Sequence, residues 1–376
     1  MHVSPKISGA LATLGLGALA LVSFPGQGSV EDDPRFIRGK ALFDRPFHLI
    51  DGVGSPEMNA DSCRACHSDP EVGGAGPLEL NVSRFARDNG GFGPYQELAG
   101  GQIASKLHPP MATTREEYPQ GFSTGADVFE QRQPPSILGD GLIDQIPGSA
   151  IEANEDPLDA DQDGVKGVAR RLDIGGTIEI GKYGWKAQVP TVADFVRDAM
   201  IGELGMTTSD NGRGFGADTD GDPIADPECT DQMVADIAFY LTNLPAPQRK
   251  GSTDPRVALG EQVFTNVGCA KCHVPSLPSP AGPVPLYSNL LLHDIWPADF
   301  RGMSEPNLFA DADAGMFRTP PLWGIGDTAP YMHDGRAENL KAAIMLHVGE
   351  ALQVRNAYLS DTAENQEALI LFLQDL

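Results

Sequence analysis

The alternation of apolar and polar positions predicts two pairs of helices, one pair in each half of the chain. Residues 236–244 and 368–376 (DIAFYLTNL and ALILFLQDL) are apolar around most of a helical turn, so each is expected to pack into a core. Residues 39–43 and 260–264 share the sequence Gly-x-x-x-Phe on an amphipathic pattern, which is typical of a helix with one buried face. Because both patterns occur twice, the chain is expected to contain an internal duplication.

The segments between these helices repeat as well. Residues 132–139 (RQPPSILG) match residues 318–324 (RTPPLWG), and Tyr183–Val192 aligns without gaps on Tyr331–Leu340. The order of the matching segments is the same in both halves, which supports a duplicated unit over a chance similarity.

These repeats predict a mainly α protein of two similar domains, residues 31–247 and 252–376, joined by a short Pro-rich linker. Helices are expected at Val192–Leu204 and Leu340–Leu352, each with a Gly-Glu pair near its end. The first domain carries an acidic insertion at about 140–182, and both domains have long Pro/Gly-rich loops. No strand pattern is sustained enough to predict a large sheet.

Each half contains one Cys-x-x-Cys-His motif: Cys63 and Cys66 with His67, and Cys269 and Cys272 with His273. This spacing is the attachment motif for c-type haem. The two thiols add to the haem vinyl groups, and the adjacent histidine supplies the proximal nitrogen to the iron. A zinc site or a disulfide is the alternative, but structural zinc usually takes two Cys pairs held close together. The motifs therefore predict two covalently bound haems.

Cys229 is the one cysteine outside the motifs. It is expected to be a buried free thiol near the start of a helix that contains residues 233–239. A reactive thiol is the alternative, because a helix N-terminus lowers the pKa of cysteine.

Residues 1–30 are expected to form a signal peptide. The segment has one Lys, an apolar run at residues 7–24, and a Pro/Gly-containing break that places cleavage near residues 28–30. An uncleaved anchor is the alternative. Covalent haem is added outside the cytoplasm, so we expect export to the periplasm and no stable membrane insertion after cleavage.

The formal net charge is −25 at pH 7. Such a surface disfavours nucleic acid and anionic membranes as partners. It favours a basic redox partner, such as a small cationic cytochrome, or serves solubility in a salty habitat.

With the two haem motifs, three further segments carry a family resemblance: residues 287–294 (YSNLLLHD), 317–324 (FRTPPLWG) and 329–336 (APYMHDGR). The chain resembles the di-haem oxidoreductases related to bacterial di-haem cytochrome c peroxidases, in particular the branch labelled thiol oxidoreductase. The resemblance covers essentially all of the mature chain. It implies two cytochrome c-like haem domains, with peroxide reduced at the N-terminal haem and electrons relayed by the C-terminal haem. Pure electron transfer, or oxidation of a partner protein or organic substrate, are the alternative functions.

In those peroxidases the distal ligand of the second haem is a Met fourteen residues after the His of a Pro-Tyr-x-His motif. The same count from His333 arrives at His347, so the resemblance implies a second haem ligated by His273 and His347. A His in place of Met lowers the potential of the iron. Met345 and Met332 are rival ligands.

The distal position of the first haem depends on the alignment of the repeat. The ungapped alignment places Ala199 opposite His347 and leaves the iron open to peroxide, whereas alignment on Gly-Glu places Met200 there and predicts an electron-transfer site. His108, which precedes two prolines, is a candidate mobile ligand.

Several further residues are candidates for supporting roles. Trp185 aligns with His333 and is a candidate electron bridge between the haems, or else a buried core residue. His293 is expected to donate a hydrogen bond to a propionate or a backbone group. Carboxylates available for acid–base chemistry are Asp144, Glu152 and Glu203.

The insertion contains Asp159, Asp161 and Asp163 before a glycine, which is the first half of an EF-type Ca²⁺ loop. Arg170 occupies the twelfth position, where that loop requires Glu, so Ca²⁺ would need other ligands such as Glu155 or Asp156. An acidic turn without metal is the alternative. Residues 218–222 (DTDGD) form a second, weaker candidate.

Overall fold

The computed structural model describes residues 29–54, 58–87, 103–104, 126–297, 300 and 315–376. Most of the predicted signal peptide and His108 lie outside these residues. The described residues contain ten α-helices: α1 (Pro34–Asp44), α2 (Cys63–Cys66), α3 (Asp140–Asp144), α4 (Gly148–Glu152), α5 (Val192–Ala199), α6 (Asp231–Thr242), α7 (Pro255–Val267), α8 (Leu340–Met345), α9 (Leu352–Ser360) and α10 (Ala363–Asp375).

The strands are short and belong to four small antiparallel sheets. They are β1 (Val82–Ala86), β2 (Ile103–Ala104), β3 (Val128–Arg132), β4 (Arg171–Ile174), β5 (Thr177–Ile180), β6 (Leu277–Ser279), β7 (Gly282–Val284), β8 (Leu292–Asp294) and β9 (Met316–Arg318). One sheet has the order β2-β1-β3, and the other three are the pairs β4-β5, β6-β7 and β8-β9. In the described part of the chain the helices hold far more residues than the strands, which agrees with the mainly α prediction.

Helices α1 and α6 pack closely because α1 has no side chain at the crossing point. A Cβ on Gly39 would lie 2.0 Å from the carbonyl oxygen of Asp236 and 2.7 Å from the Cβ of Tyr240. Helix α1 begins with Asp33 as N-cap and Pro34 in the first turn, an arrangement that satisfies a free backbone N–H. Arg38 also donates to both carboxylate oxygens of Asp236, at 2.7 and 2.8 Å.

Helices α7 and α10 cross in the same way in the second half. A Cβ on Gly260 would lie 2.0 Å from the carbonyl oxygen of Ala368 and 2.7 Å from the Cβ of Phe372. Helix α7 likewise begins with an Asp–Pro pair, in which Asp254 is the N-cap. The two helix pairs therefore share one crossing geometry, which explains why glycine occupies the same position in both copies.

The aligned segments between the helix pairs also fold alike up to the start of α5 and α8. Each begins with a small antiparallel bridge, Tyr183 with Val189 and Tyr331 with Ala337. Each then has an N-cap, Thr191 and Asn339, whose side chain accepts from the backbone N–H three residues later.

The helix predicted at Leu340–Leu352 is wrong in its extent, because α8 ends at Met345. The chain leaves the helix where Val348 N donates to Ile295 O at 3.0 Å and Gly349 adopts a φ of 53°. In the first copy, α5 continues into a π-helical turn at Met200–Leu204, so the two copies diverge after their aligned helices begin.

Two apolar cores support this architecture. One surrounds α5 and α6 and includes Leu277, Leu286 and Leu291 from the second half. The other lies between α7, α8 and α10 and includes Phe264 and Phe372. The first core thus joins the two halves of the chain. Among the described residues no helix combines the length and the apolar character that crossing a membrane requires.

Candidate functional site

The first Cys-x-x-Cys-His motif forms the short helix α2, with His67 as its C-cap. His67 Nδ1 lies 3.0 Å from the carbonyl oxygen of Pro135 and 3.3 Å from that of Gly74. Because a carbonyl only accepts, Nδ1 carries the proton and Nε2 keeps its lone pair. Burial also lowers the pKa of His67, which favours the neutral ring that a metal requires.

The second motif forms a 3₁₀ turn at Cys269–Lys271 after a left-handed Gly268. His273 Nδ1 lies 3.0 Å from the carbonyl oxygen of Tyr287, so its Nε2 is also available as a ligand. Burial, together with the neighbouring His347, lowers the pKa of His273 to about 3. The two motif histidines therefore have the same tautomer, each fixed by a backbone carbonyl.

The motif cysteines are unbridged and lie in apolar surroundings. Burial raises the pKa of the Cys63 and Cys269 thiols to about 12, so both are protonated at neutral pH. Among the described residues, the groups of side chains that converge as metal ligands contain carboxylates and no cysteine. A structural zinc site brings four ligands around one ion, and no such group with a cysteine forms among the described residues, which favours the haem interpretation.

A cavity of about 270 Å³ lies beside the second motif. Its lining includes Cys269, Cys272, His273 and His347 from the second half and Trp185 from the first half. His347 Nδ1 lies 2.8 Å from the carbonyl oxygen of Ala343, which again leaves Nε2 as the free nitrogen. Of the two rival ligands, Met332 lines this cavity, whereas Met345 is 40% exposed and does not.

Three buried nitrogen atoms in the wall of this cavity have no hydrogen-bond partner among the described residues: Arg318 Nη1, Trp296 Nε1 and His333 Nδ1. Buried polar groups are nearly always satisfied, so such atoms indicate a missing partner. Haem has an apolar macrocycle and two carboxylates that accept hydrogen bonds from guanidinium groups. The residues around the cavity therefore fit a haem.

Gln133 forms a junction between the first motif and this cavity. Its backbone N donates to His333 O at 2.7 Å, and its carbonyl oxygen accepts from Trp185 Nε1 at 2.9 Å. Two residues later, Pro135 accepts from His67. The rings of Trp185 and His333 meet edge to face with their centroids 6.4 Å apart. A continuous path of bonds and hydrogen bonds thus runs from His67 to Trp185.

A cluster of buried basic residues includes Lys186, which follows Trp185 in the chain, and the sequence analysis missed it. Its members Arg84, Arg132, Arg170 and Lys186 are each at most 8% exposed. Lys186 Nζ donates to Met316 O at 2.8 Å and lies 3.9 Å from the centre of the Phe317 ring. Burial lowers the pKa of Lys186 well below its ordinary value, and it lowers that of Arg132 to about 10. Sequence pattern alone does not distinguish these cations from surface charges.

The side chains around the predicted distal position of the first haem differ in exposure. Met200 is 1% exposed and belongs to the apolar core, whereas Ala199 is partly exposed. The side chain of Asp198 is exposed but surrounded by protein atoms, and this desolvation raises its pKa to about 6, although the charges of Arg84 and Arg132 lower it. Asp198 is therefore a further residue that the sequence analysis missed.

The three carboxylates named from the sequence have other partners. Asp144 accepts from the hydroxyl of Tyr183 at 3.0 Å, and Glu152 pairs with Arg171 at 2.8 Å on the surface. Glu203 accepts from the side chain of Asn59 at 3.1 Å.

The acidic loop of the insertion gathers a different set of carboxylates from the one predicted. Oxygen atoms of Asp156, Asp159 and Asp161 lie within 4.8 Å of one another. Asp163 instead pairs with Lys271 at 3.0 Å, so it takes no part in that group. In the weaker second loop only Asp220 converges with other acidic groups, those of Asp226 and Glu228.

Cys229 is fully buried and directly precedes Thr230, the N-cap of α6. Burial raises the pKa of its thiol to about 12, so proximity to a helix start does not produce a reactive thiolate. This agrees with the prediction of a buried free thiol.

A protein-family model described as "Di-haem oxidoreductase, putative peroxidase" matches residues 125–376. The chain is similar to a solved MauG-like protein associated with microbial copper homeostasis, with 15% identity, 92% of this chain and 88% of that chain covered, and a TM-score of 0.44. It is similar to the diheme peroxidase BthA from Burkholderia thailandensis, with 16% identity, 92% of this chain and 86% of that chain covered, and a TM-score of 0.44. It is also similar to hydrazine synthase from Kuenenia stuttgartiensis, with 15% identity, 99% of this chain and 100% of that chain covered, and a TM-score of 0.40. No curated protein matches the chain.

Proposed function

Because this chain belongs to the di-haem oxidoreductase family, we propose that it is an exported c-type cytochrome enzyme that reduces peroxide at the haem of the first motif, with electrons relayed by the haem of the second. The observation that carries this proposal is the matched tautomer of His67 and His273, in which each Nδ1 donates to a carbonyl and each Nε2 is free to bind iron. When bound, the haems supply an iron that can take peroxide and a second iron that stores an electron.

In this proposal Cys63 and Cys66 hold the first haem, and Cys269 and Cys272 hold the second. His347 is assigned as the distal ligand of the second haem. The assignment is supported by its place in the same cavity as His273 and by its bond to Ala343, which orients the ring with Nε2 free. Arg318 is assigned to a propionate, because its Nη1 is buried in the cavity wall with no partner among the described residues.

The first haem is assigned an open distal face at Ala199. His67, His273 and His347 are all partly exposed, as side chains that face a haem space should be, whereas Met200 is buried in the core. This difference favours the peroxidase over a pure electron-transfer cytochrome, in which Met200 would close the iron. We assign proton transfer there to Asp198, which neighbours Ala199 and holds a proton up to about pH 6.

Trp185 is assigned as the electron bridge. The support is its position at the junction, bonded to the Gln133 carbonyl on the side of the first haem and lining the cavity of the second. The remaining proposals are a periplasmic location, a basic redox partner for this acidic chain, and a Ca²⁺ ion in the insertion with Asp159 and Asp161 among its ligands.

The first experiment counts the haems and examines the resting iron. Pyridine haemochrome assay should give two haems per chain, and one in the double variant Cys269→Ala, Cys272→Ala. The ferric spectrum should contain a high-spin component from the open iron. A native protein without haem would refute the proposal, and two low-spin irons would favour electron transfer alone.

The second experiment follows peroxide turnover. Peroxide added to the half-reduced protein should oxidise the second haem, and Ala199→His should stop this by closing the first iron. Ala281→His, at an exposed position, is the matched control. Trp185→Phe should slow the oxidation without changing either spectrum, whereas Trp323→Phe, in the same cavity wall, should not. Equal rates in both tryptophan variants would remove the bridge from the proposal.

A further inference from the structure

Glu350, three residues after His347, accepts three hydrogen bonds from two separate parts of the chain. Its Oε2 accepts from the backbone N of Lys166 at 2.7 Å and faces His293 Nδ1 at 3.0 Å. Its Oε1 accepts from the backbone N of Asp294 at 3.1 Å. Lys166 belongs to the insertion of the first half, so this one carboxylate joins the insertion to the segment that follows His347.

The tautomer of His293 follows from its neighbours. The side-chain oxygen of Asn289 accepts from Leu291 N at 3.0 Å, so the amide nitrogen of Asn289 is the atom that faces His293 Nε2, at 3.0 Å. That amide nitrogen donates, so Nε2 accepts and the proton of His293 lies on Nδ1, which donates to Glu350. His293 is 2% exposed, and its Nδ1 also lies 3.7 Å from the sulfur of Cys272. The network therefore extends to a cysteine that attaches the second haem.

The insertion contacts this network at further points. Val168 and Leu292 exchange two backbone hydrogen bonds, at 3.0 and 2.9 Å. Lys271, inside the second haem motif, pairs with Asp163 at 3.0 Å. Gly167 is packed against the ring of His293, since an added Cβ would lie 2.6 Å from Cε1. The insertion is thus docked on the same residues that Glu350 holds.

On the other side, the residues between His347 and Glu350 are fixed against strand β8. Val348 N donates to Ile295 O at 3.0 Å. Gly349 lies so close to Asp294 that an added Cβ would be 2.3 Å from its carbonyl oxygen. The backbone between His347 and Glu350 and the carboxylate of Glu350 are therefore held against the same segment, which includes Asp294.

We propose that Glu350 is a positioning residue through which the insertion of the first half holds His347 on the second haem. The inference rests on the proposed function and adds a dependence of the second haem's ligation on residues of the other half, Lys166 and Gly167. It explains why a carboxylate that is not itself a ligand accepts three hydrogen bonds beside the ligand.

The first arm of the test compares Glu350→Gln with Glu338→Gln, an exposed position in the same half that makes the same change of charge. The amide introduced by Glu350→Gln presents N–H groups to donors, so at least one of the three bonds is lost. We expect the ferric spectrum of the second haem to gain a high-spin component, while the first haem is unchanged. Glu338→Gln should retain the native spectrum. A shifted potential in Glu350→Gln without spectral change would be a charge effect and would overturn the proposal.

The second arm changes the insertion alone. Gly167→Ala drives a methyl group against His293, whereas Gly221→Ala adds one where no heavy atom lies within 4 Å. Gly167→Ala should reproduce the high-spin signal of the second haem, and Gly221→Ala should leave the ferric spectrum as in the wild type. If Gly167→Ala keeps two haems and a native spectrum, the insertion does not position His347. This arm decides the question even if Glu350→Gln fails to fold.

Haem counting separates the two levels of failure. A wild-type protein without haem would end the proposed function and this inference together. A wild-type protein with two haems, combined with native spectra in Glu350→Gln and Gly167→Ala, would end this inference alone.

Discussion

Replacing Gly260 with alanine should destabilise the second half selectively. The new Cβ would lie 2.0 Å from the carbonyl oxygen of Ala368, whereas ordinary contact begins at 3.4 Å. Helices α7 and α10 must therefore separate by more than about 1 Å, because a backbone oxygen cannot rotate away. Overpacking of this kind costs about 1–3 kcal/mol, and this backbone contact belongs near the upper end.

The helix propensity of alanine offsets part of that cost. Gly→Ala in a helix interior gains about 1 kcal/mol, so the expected net loss is about 2 kcal/mol. In a chain of this size that corresponds to a fall of about 2.5 °C in the melting temperature, followed by circular dichroism. Because α7 leads into Cys269, haem content at the second motif should fall while the first motif stays loaded.

The duplicated architecture supplies the comparison variant. Gly39→Ala creates the same 2.0 Å contact in the first half and should reverse the pattern, lowering haem content at the first motif. Gly221→Ala, in open space, should leave melting and haem content as in the wild type. If Gly260→Ala and Gly39→Ala melt at the same temperature as Gly221→Ala, the argument from the helix crossings is refuted.

Three further outcomes are expected. His347→Gly should convert the second haem to high spin, and His347→Met should keep it low spin at a raised potential; unchanged spectra and potentials would make His347 a packing residue. A chelator should lower the melting temperature of the wild type and Ca²⁺ should restore it, whereas Asp161→Ala should respond to neither. If the wild type melts at the same temperature in chelator and in Ca²⁺, the loop is an ordinary acidic turn. Arg38 holds the pKa of Asp236 below its ordinary value of 3.8, so this ion pair stabilises the folded state at pH values above 3.8. The free energy of unfolding in urea should be higher for the wild type than for Arg38→Gln, and this difference should vanish as the pH falls through the pKa of Asp236 in the folded protein. A difference that does not change with pH would contradict this.

The helix pairs were predictable because their signals are local. Gly-x-x-x-Phe and the apolar runs of α6 and α10 need only the period of a helix, and the structure shows these helices in both halves. The break of α8 at Met345 was not predictable, because it depends on a backbone bond from Val348 to Ile295, about fifty residues away in the chain. Local propensity gives way to such long-range contacts.

The candidate site divides in the same way. Spacing predicts His67 and His273 as haem ligands, because the attachment motif for c-type haem places two cysteines and the histidine within five residues, and this stays a prediction. It assigned Asp163 to a metal loop, whereas the folded chain directs this side chain to Lys271. It passed over Asp198, since only the surrounding protein gives that carboxylate a raised pKa.

The buried basic residues that include Lys186 bear on how an electron crosses the space between the two halves. A tryptophan can pass an electron by hopping, in which the ring is oxidised to a radical and then reduced again. It can also act as a medium for electron tunnelling, in which the ring is never oxidised. The guanidinium of Arg170 donates to the carbonyl oxygen of Lys186, the residue after Trp185, at 3.0 Å, and positive charge near an indole raises the energy needed to remove an electron from it. In the proposed role, Trp185 would therefore serve as a tunnelling medium, and no tryptophan radical should accumulate during turnover.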